Sequence, residues 1–185
     1  MHYTLCDYLL DIVQNSVEAN SSEVILNFEE SDDNYNFCVV DNGKGMSEEI
    51  QKKAIDPFFT EAGKHSARKA GFGLPFLIMA TQLCNGSFDL QSKVGVGTTI
   101  KYSFSKKSID TPPLGNFAET ILTIFNLNEK CNIIVNRKLN EKDYSISLEE
   151  LTQALGELQT VASLSLAKEY LEGLEEEILG GVVTY

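Results

Sequence analysis

Apolar residues recur at helical spacing near the start of the chain, and two shorter apolar runs follow. A helix is predicted over residues 4–19, because apolar positions three and four apart share one face. Those positions are Leu5, Leu9, Ile12, Val13 and Val17. Residues 24–28 and 36–40, separated by a polar turn at 31–34, are typical of two neighbouring strands.

The rest of the chain continues with short alternating elements. Helices are predicted over 47–56, 76–83, 117–125, from 148 onward and over 163–178, and strands over 87–92, 100–105, 131–135 and 144–146. Up to residue 105 the order is helix, two strands, helix, loop, helix, two strands. This order predicts an α+β fold, a two-layer sandwich with helices on one face of a mixed, mostly antiparallel sheet.

A polar, proline-marked segment at residues 108–113 interrupts the pattern and is typical of a linker. The chain is therefore divided into a main domain at 1–107 and a small C-terminal α/β appendage at 108–185. The appendage ends in an acidic helix with a narrow apolar stripe. We predict either that it packs on the main domain or that it offers a surface to a protein partner.

Composition narrows the class of protein. The 185 residues are 43% apolar, enough for a packed core, and the net charge of −12 argues against binding to nucleic acid or to an anionic membrane. No apolar stretch approaches the eighteen residues of a membrane span, and the first residues lack a signal-peptide pattern. The four cysteines are scattered, as in a reduced, cytoplasmic protein.

The first candidate for chemistry is the turn at residues 41–46, Asp-Asn-Gly-Lys-Gly-Met, which ends a predicted strand. Asp41 could accept a hydrogen bond from an exocyclic amine such as that of adenine. Gly43 and Gly45 permit a positive φ and the close approach of a flat ligand. The same letters also occur in ordinary turns, so the motif alone leaves both interpretations open.

A second candidate lies on the first helix. Asp11 and Asn15 are four residues apart and project from one face. A carboxylate and a carboxamide in this arrangement could polarise a water molecule and coordinate Mg²⁺, although a solvated helix face is the simpler interpretation.

A third candidate is the basic cluster Lys64, Arg68 and Lys69 in an otherwise acidic chain. It precedes Gly71 and Gly73, which open an apolar helix. Backbone amides at a helix start form an anion site. The segment is either a solvated loop or a lid over a nucleotide.

Together, five motifs in order resemble those of the GHKL ATPases, which include gyrase-type topoisomerases, Hsp90-type chaperones, histidine kinases and MutL-type repair proteins. The N box is similar to residues 11–15, the first glycine box to 41–46, the F box to 57–60, the second glycine box to 71–74 and the last turn to 95–98. The resemblance covers residues 1–105 and implies the Bergerat-type ATP-binding fold.

The resemblance implies ATP and Mg²⁺ as ligands and gives each matching position a role. Asn15 would bind Mg²⁺, Asp41 would receive the adenine amine, and Thr98 would assist it. Gly45 would shape the adenine pocket, with Met46 and Phe59 in apolar contact. The phosphates would meet backbone amides and lid charges, at Gly71, Gly73, Leu74, Lys64, Arg68 and Lys69.

One departure leaves the activity open. The catalytic slot that holds Glu in hydrolysing members holds Asp11 here, one methylene shorter. An ATPase or ATP-dependent switch, a protein kinase acting in trans (of histidine kinase or anti-sigma type) and a non-hydrolysing nucleotide-binding module are all compatible with it. The whole chain, including residues 110–115, also resembles small stand-alone histidine-kinase-like ATP-binding proteins of anaerobic bacteria. This resemblance implies an association with iron-only hydrogenase genes.

Overall fold

A computed structural model describes residues 3–56 and 73–181. Six helices and six strands lie in this part of the chain. The helices are α1 (Leu5–Glu18), α2 (Glu48–Ala54), α3 (Gly73–Leu83), α4 (Phe117–Phe125), α5 (Leu148–Leu155) and α6 (Val161–Leu179). The strands are β1 (Glu23–Glu30), β2 (Asn34–Asp41), β3 (Ser87–Lys93), β4 (Gly97–Ser105), β5 (Asn132–Leu139) and β6 (Lys142–Ser147).

The six strands form one mixed sheet in the order β3-β4-β2-β1-β5-β6. Strand β1 pairs antiparallel with β2 on one side and parallel with β5 on the other, while every other pair is antiparallel. The α+β fold with a mixed, mostly antiparallel sheet is therefore confirmed.

The helix layer covers one face of the sheet. In β1, Val24, Leu26 and Phe28 are buried and alternate with the half-buried Ile25 and Asn27, because successive side chains of a strand point to opposite faces. Strands β2, β4 and β5 repeat this alternation. The core therefore lies between the sheet and the helices, and the other face stays partly open.

One row of side chains crosses the buried face of five strands. The register places Phe37 opposite both Phe28 and Tyr102, and the ring centroids are 4.3 Å and 4.9 Å apart. Phe88 follows on β3, and Arg137 on β5 lies over Phe28 at 4.1 Å from its centroid. This row fixes the register, since a slip by one residue would move these rings to the open face.

Helix α1 begins at a capping box. Thr4 accepts a hydrogen bond from the Asp7 amide, and the Asp7 carboxylate accepts one from the Thr4 amide. Leu5, Leu9 and Val13 on its inner face are fully buried. The apolar spacing that predicted this helix is the face that packs against the sheet.

Within the described residues, α3 runs from Gly73, so it includes the three residues before the predicted start at Phe76. Pro75 lies in its first turn, where the missing N–H of proline costs nothing. The predicted strands were also too short, because the polar ends of β1 and β2 continue the ladder without adding to the apolar pattern.

The residues predicted as an appendage continue the same sheet. Strand β5 pairs with β1 along its whole length, and α4 and α6 pack in the helix layer. The segment before α4 is also fixed, because the amides of Leu5 and Cys6 donate to the carbonyls of Pro113 and Leu114.

A buried ionic cluster joins the C-terminal helix to the sheet. Arg137 is fully buried, pairs with Glu30, and places Nε 3.5 Å from Glu175 Oε1. The Tyr144 hydroxyl donates to the same Glu175 oxygen at 2.6 Å. Burial raises the pKa of Glu175 above its ordinary value, outweighing the opposite effects of Arg137 and Tyr144.

Candidate functional site

Asp41, the last residue of β2, lies where the sheet, the end of α1 and the β3–β4 hairpin meet. Its Oδ2 accepts from the Ser16 hydroxyl at 2.9 Å. Its Oδ1 accepts from the amides of Gly43 at 2.9 Å and Thr98 at 3.3 Å. The side chain is therefore held by three separate segments of the chain.

The carboxylate of Asp41 retains room for one more donor. A carboxylate offers about four acceptor positions, and three donors are present here. The residue is 8% exposed, so its surface is almost closed to solvent. The remaining acceptor position on Oδ2 can pair with a hydrogen-bond donor such as an amine, but not with a carbonyl oxygen.

The two glycines of the turn, Gly43 and Gly45, are required for different structural reasons. Gly45 has a φ of +63°, and a Cβ there would lie 2.0 Å from the carbonyl oxygen of Lys93. Gly43 does not adopt the positive φ that a glycine permits. A Cβ at Gly43 would instead meet the Ser21 hydroxyl at 2.6 Å and Ala19 at 2.9 Å. Both glycines are needed for close packing of the turn between α1 and the β3–β4 hairpin.

Ser92 ties the turn to that hairpin. Its hydroxyl accepts from the Met46 amide at 2.8 Å and lies 2.9 Å from the Thr98 hydroxyl. Gln51 adds hydrogen bonds to the carbonyls of Met46 and Ser92, at 3.1 Å and 2.8 Å. Thr98 therefore contacts Asp41 through its amide, while its hydroxyl faces Ser92.

Sequence reasoning missed Ser16 and Ser92. Ser16 directly follows Asn15, and its place one turn after Ile12 on α1 was the available signal that it faces inward. Ser92 carries no local signal, because only the pairing of β3 with β4 brings it opposite Thr98.

The predicted catalytic and metal-binding residues lie on α1 beside the start of α3. A Cβ on Gly73 would be 3.3 Å from Asp11 Oδ2, so the carboxylate lies against the backbone of the first residue of α3. Asn15 follows one turn later and is exposed. The structure therefore brings Asp11 and the start of α3 together, next to an exposed carboxamide.

The start of α3 supplies backbone donors. The first amides of a helix have no intrahelical acceptor and lie at the positive end of its dipole. Leu74 packs its side chain against the core, which fixes the first turn. Gly73 and Leu74 thus lie where an anion near Asp11 would meet amides.

Five predicted site residues lie outside the described part of the chain. They are Phe59, Lys64, Arg68, Lys69 and Gly71. Their roles stay predictions from the sequence.

A shallow cavity of about 400 Å³ borders Asp41 but opens on the other face of the sheet. Its walls include Ile25, Val40 and Thr99, which alternate with the buried positions of their strands. Neither Asn15 nor Gly73 lines it, so it is separate from the site on α1 and α3. Along the described residues, no helix is both long and apolar enough to cross a bilayer.

Comparison with known protein families gives a match over the first part of the chain. Residues 4–108 match the family described as histidine kinase-, DNA gyrase B-, and HSP90-like ATPase. The matched segment contains Asp11, Asn15, Asp41, Gly73 and Thr98.

Two similar proteins are histidine kinases. The chain is 32% identical over 116 residues to histidine protein kinase 1 of Candida albicans, covering 60% of this chain and 4% of that protein. It is 30% identical over 100 residues to the sensor histidine kinase YxdK of Bacillus subtilis, covering 52% of this chain and 31% of that protein. The chain therefore spans less than a third of either relative.

One solved structure shares the fold. The N-terminal domain of a DNA repair protein superposes with a TM-score of 0.54 at 13% identity, covering 84% of this chain and 57% of that one. The superposition covers 84% of this chain, so it extends beyond residues 4–108, to which the family match is limited.

Proposed function

The chain belongs to the histidine kinase-, DNA gyrase B- and HSP90-like ATPases, and from this premise we propose that its ATP-binding domain works as a Mg²⁺-dependent, ATP-driven switch that hydrolyses its nucleotide. Membership of the family supports ATP binding by residues 4–108. Hydrolysis of the nucleotide, the requirement for Mg²⁺ and the contact with a protein partner are what we propose in addition.

The observation that carries the proposal is the open acceptor position on Asp41. A buried carboxylate with three donors from three segments is held in one orientation before any ligand arrives. The adenine amine would supply the fourth donor. Thr98 would act by holding the carboxylate through its amide, and Gly43, Gly45 and Met46 by forming the adjoining turn.

The chemistry at the phosphate end would come from α1 and α3. Asn15 would hold Mg²⁺ through its side-chain oxygen, and the ion would neutralise charge on the phosphates. The amides of Gly73 and Leu74 would meet phosphate oxygens, with Gly71 and the basic residues Lys64, Arg68 and Lys69 contributing from the preceding segment.

Asp11 would act as the general base toward the attacking water. It lies beside the start of α3, where the phosphates would bind. Its carboxylate is one methylene shorter than that of glutamate, so the water would have to sit closer to α1.

The output of the switch would pass to a protein partner. Nucleotide binding would change the surface of the domain, and the partner would contact residues 108–185. The protein would work in the cytoplasm, where ATP is available and its four cysteines, all free thiols, stay reduced.

The proposal is tested by titration calorimetry with ATP, with and without Mg²⁺, followed by incubation with γ-labelled ATP. We expect Mg²⁺-dependent binding that Asp41→Ala and Asn15→Ala abolish, and release of labelled phosphate that Asp11→Ala abolishes. Ser87→Ala, on the outer strand β3, is a control that should change neither. Unchanged ATP affinity in both binding variants would refute the proposal.

A second candidate is transfer of the phosphate to a protein, because the two similar proteins named above are histidine kinases. The same labelling experiment separates the two functions. Label that appears on an added protein, in place of free phosphate, would favour the kinase. Label that stays on bound ATP would favour a nucleotide-binding module without turnover.

A further inference from the structure

A groove lies between α5, α6 and the edge strand β6. In the strand order, β6 is three strands away from β2, which carries Asp41. Its volume is about 340 Å³. It is lined by Ser145 and Ile146 of β6, by Glu150, Leu151, Ala154 and Leu155 of α5, and by Tyr170 of α6. Five of these seven residues are apolar or aromatic, and Ser145 and Glu150 are polar.

The apolar surface continues along α6. Tyr170 is 52% exposed and Leu166, one turn earlier on the same helix face, is 53% exposed. Gly173 follows on that face, and a Cβ there would meet nothing within 4 Å. A groove with an adjoining exposed apolar face is typical of a protein-binding surface, in contrast to scattered single residues.

Strand β6 adds a backbone edge to this surface. It is the last strand of the sheet, and only β5 pairs with it in the part of the chain that the structure describes. An exposed edge can accept an extended segment through main-chain hydrogen bonds, while the side chains of that segment enter neighbouring pockets.

The surroundings of the groove are strongly acidic. Residues 148–179, which form α5 and α6 and their connection, contain eight glutamates and one lysine. That lysine, Lys168, is already paired with Glu119 and Glu172. Glu169, Glu176 and Glu177 have no basic side chain within ion-pair distance among the described residues. Eight glutamates less one lysine give this segment a net charge of −7, more than half of the chain's net charge of −12.

We propose that this groove binds an extended segment of a partner protein in which apolar side chains alternate with lysine or arginine. The apolar side chains would fill the space beside Ile146, Leu155 and Tyr170, and the basic ones would face the glutamates. The same charge repels a second copy of this acidic chain. The inference rests on the proposed function in one respect: it assigns this groove as the place where the switch contacts its protein partner.

The test uses the full chain and two fluorescein-labelled hexapeptides, Lys-Leu-Lys-Leu-Lys-Leu and Lys-Ser-Lys-Ser-Lys-Ser, at physiological ionic strength. Fluorescence anisotropy should show saturable binding of the leucine peptide, at least about tenfold tighter than the serine peptide, which has the same charge. Tyr170→Ser should weaken binding of the leucine peptide about tenfold. Ile109→Ser removes a residue that is 98% exposed outside the groove, and it should change nothing.

Equal affinity for the two peptides would mean simple charge attraction and would overturn the inference, as would the absence of saturable binding. Sedimentation of the unliganded protein addresses the other occupant: self-association that Tyr170→Ser abolishes would assign the groove to a second copy instead. ATP affinity is measured in parallel. A groove that fails while ATP binding persists refutes this inference alone, whereas loss of ATP binding with peptide binding intact refutes only the switch.

Discussion

The role of Asp41 can be tested by exchanging the chemical groups on both sides of its contact with the base. Asp41→Asn keeps Oδ1, which accepts from Gly43 and Thr98, and replaces Oδ2 with an amide nitrogen. Inosine triphosphate places a carbonyl oxygen where ATP has its amine. The protein variant and the ligand variant thus each reverse one side of the same hydrogen bond.

The magnitude follows from the charge of the acceptor. A hydrogen bond to a charged group contributes about 1.5–3 kcal/mol, or about 10- to 150-fold in Kd. The wild-type chain should lose this factor when ATP is replaced by inosine triphosphate, because the carboxylate then faces another acceptor. Asp41→Asn should lose a similar factor for ATP, because two donors then face each other.

The decisive measurement is the affinity of the Asp41→Asn variant for inosine triphosphate, which combines both changes. The amide of Asp41→Asn can donate to the carbonyl of inosine triphosphate, so this pair should recover part of the affinity that each single change loses. Titration calorimetry of the four combinations gives the coupling energy directly. Equal losses for both nucleotides in Asp41→Asn would mean that Asp41 only stabilises the turn, and the assignment of the base contact would be wrong.

Three further changes test the catalytic base, the turn and the buried cluster. Asp11→Asn should slow phosphate release about 10²- to 10⁴-fold with ATP affinity unchanged, as followed with γ-labelled ATP; an unchanged rate would exclude Asp11 as the base. Gly45→Ala should reduce the free energy of unfolding in urea at least about 2 kcal/mol more than Gly95→Ala, because both positions have a positive φ and only Gly45 faces a neighbouring carbonyl. The raised pKa of Glu175 means that the folded state binds its proton more tightly, so stability from this group is present below its ordinary pKa of 4.5 and is lost as the pH rises through the raised value. Glu175→Gln should flatten that decline in thermal unfolding, and an unchanged pH profile would contradict the pKa shift.

Local signals predicted the elements well where one face is buried and both ends are marked. Helix α4 runs over the predicted residues, because Asn116 caps it and its apolar residues face the core. The turn after β2 was predicted from its glycines and its acid. Both glycines permit a positive φ, and only Gly45 adopts it, because the sequence does not reveal which neighbouring atoms the backbone must avoid.

Contacts between distant parts of the chain could not be predicted. Strand β5 pairs with β1 across more than one hundred residues, and no local pattern encodes that pairing. Arg137 lies in β5 next to Lys138, and exposure is the ordinary expectation for both basic residues. The burial of Arg137 depends on Glu30 and on the ring of Phe28, both supplied by β1.

The parallel pairing of β1 with β5 also determines how long a segment must be to fold when it is moved into another protein. A chain that stopped at residue 108, where the family match ends, would lose eight paired positions along β1 and the buried partner of Glu30. The exposed edge of β1 would then be a template for aggregation. The segment that gene fusion or protein engineering can move as a working unit is therefore longer than the family motif, and it includes the strands that follow it.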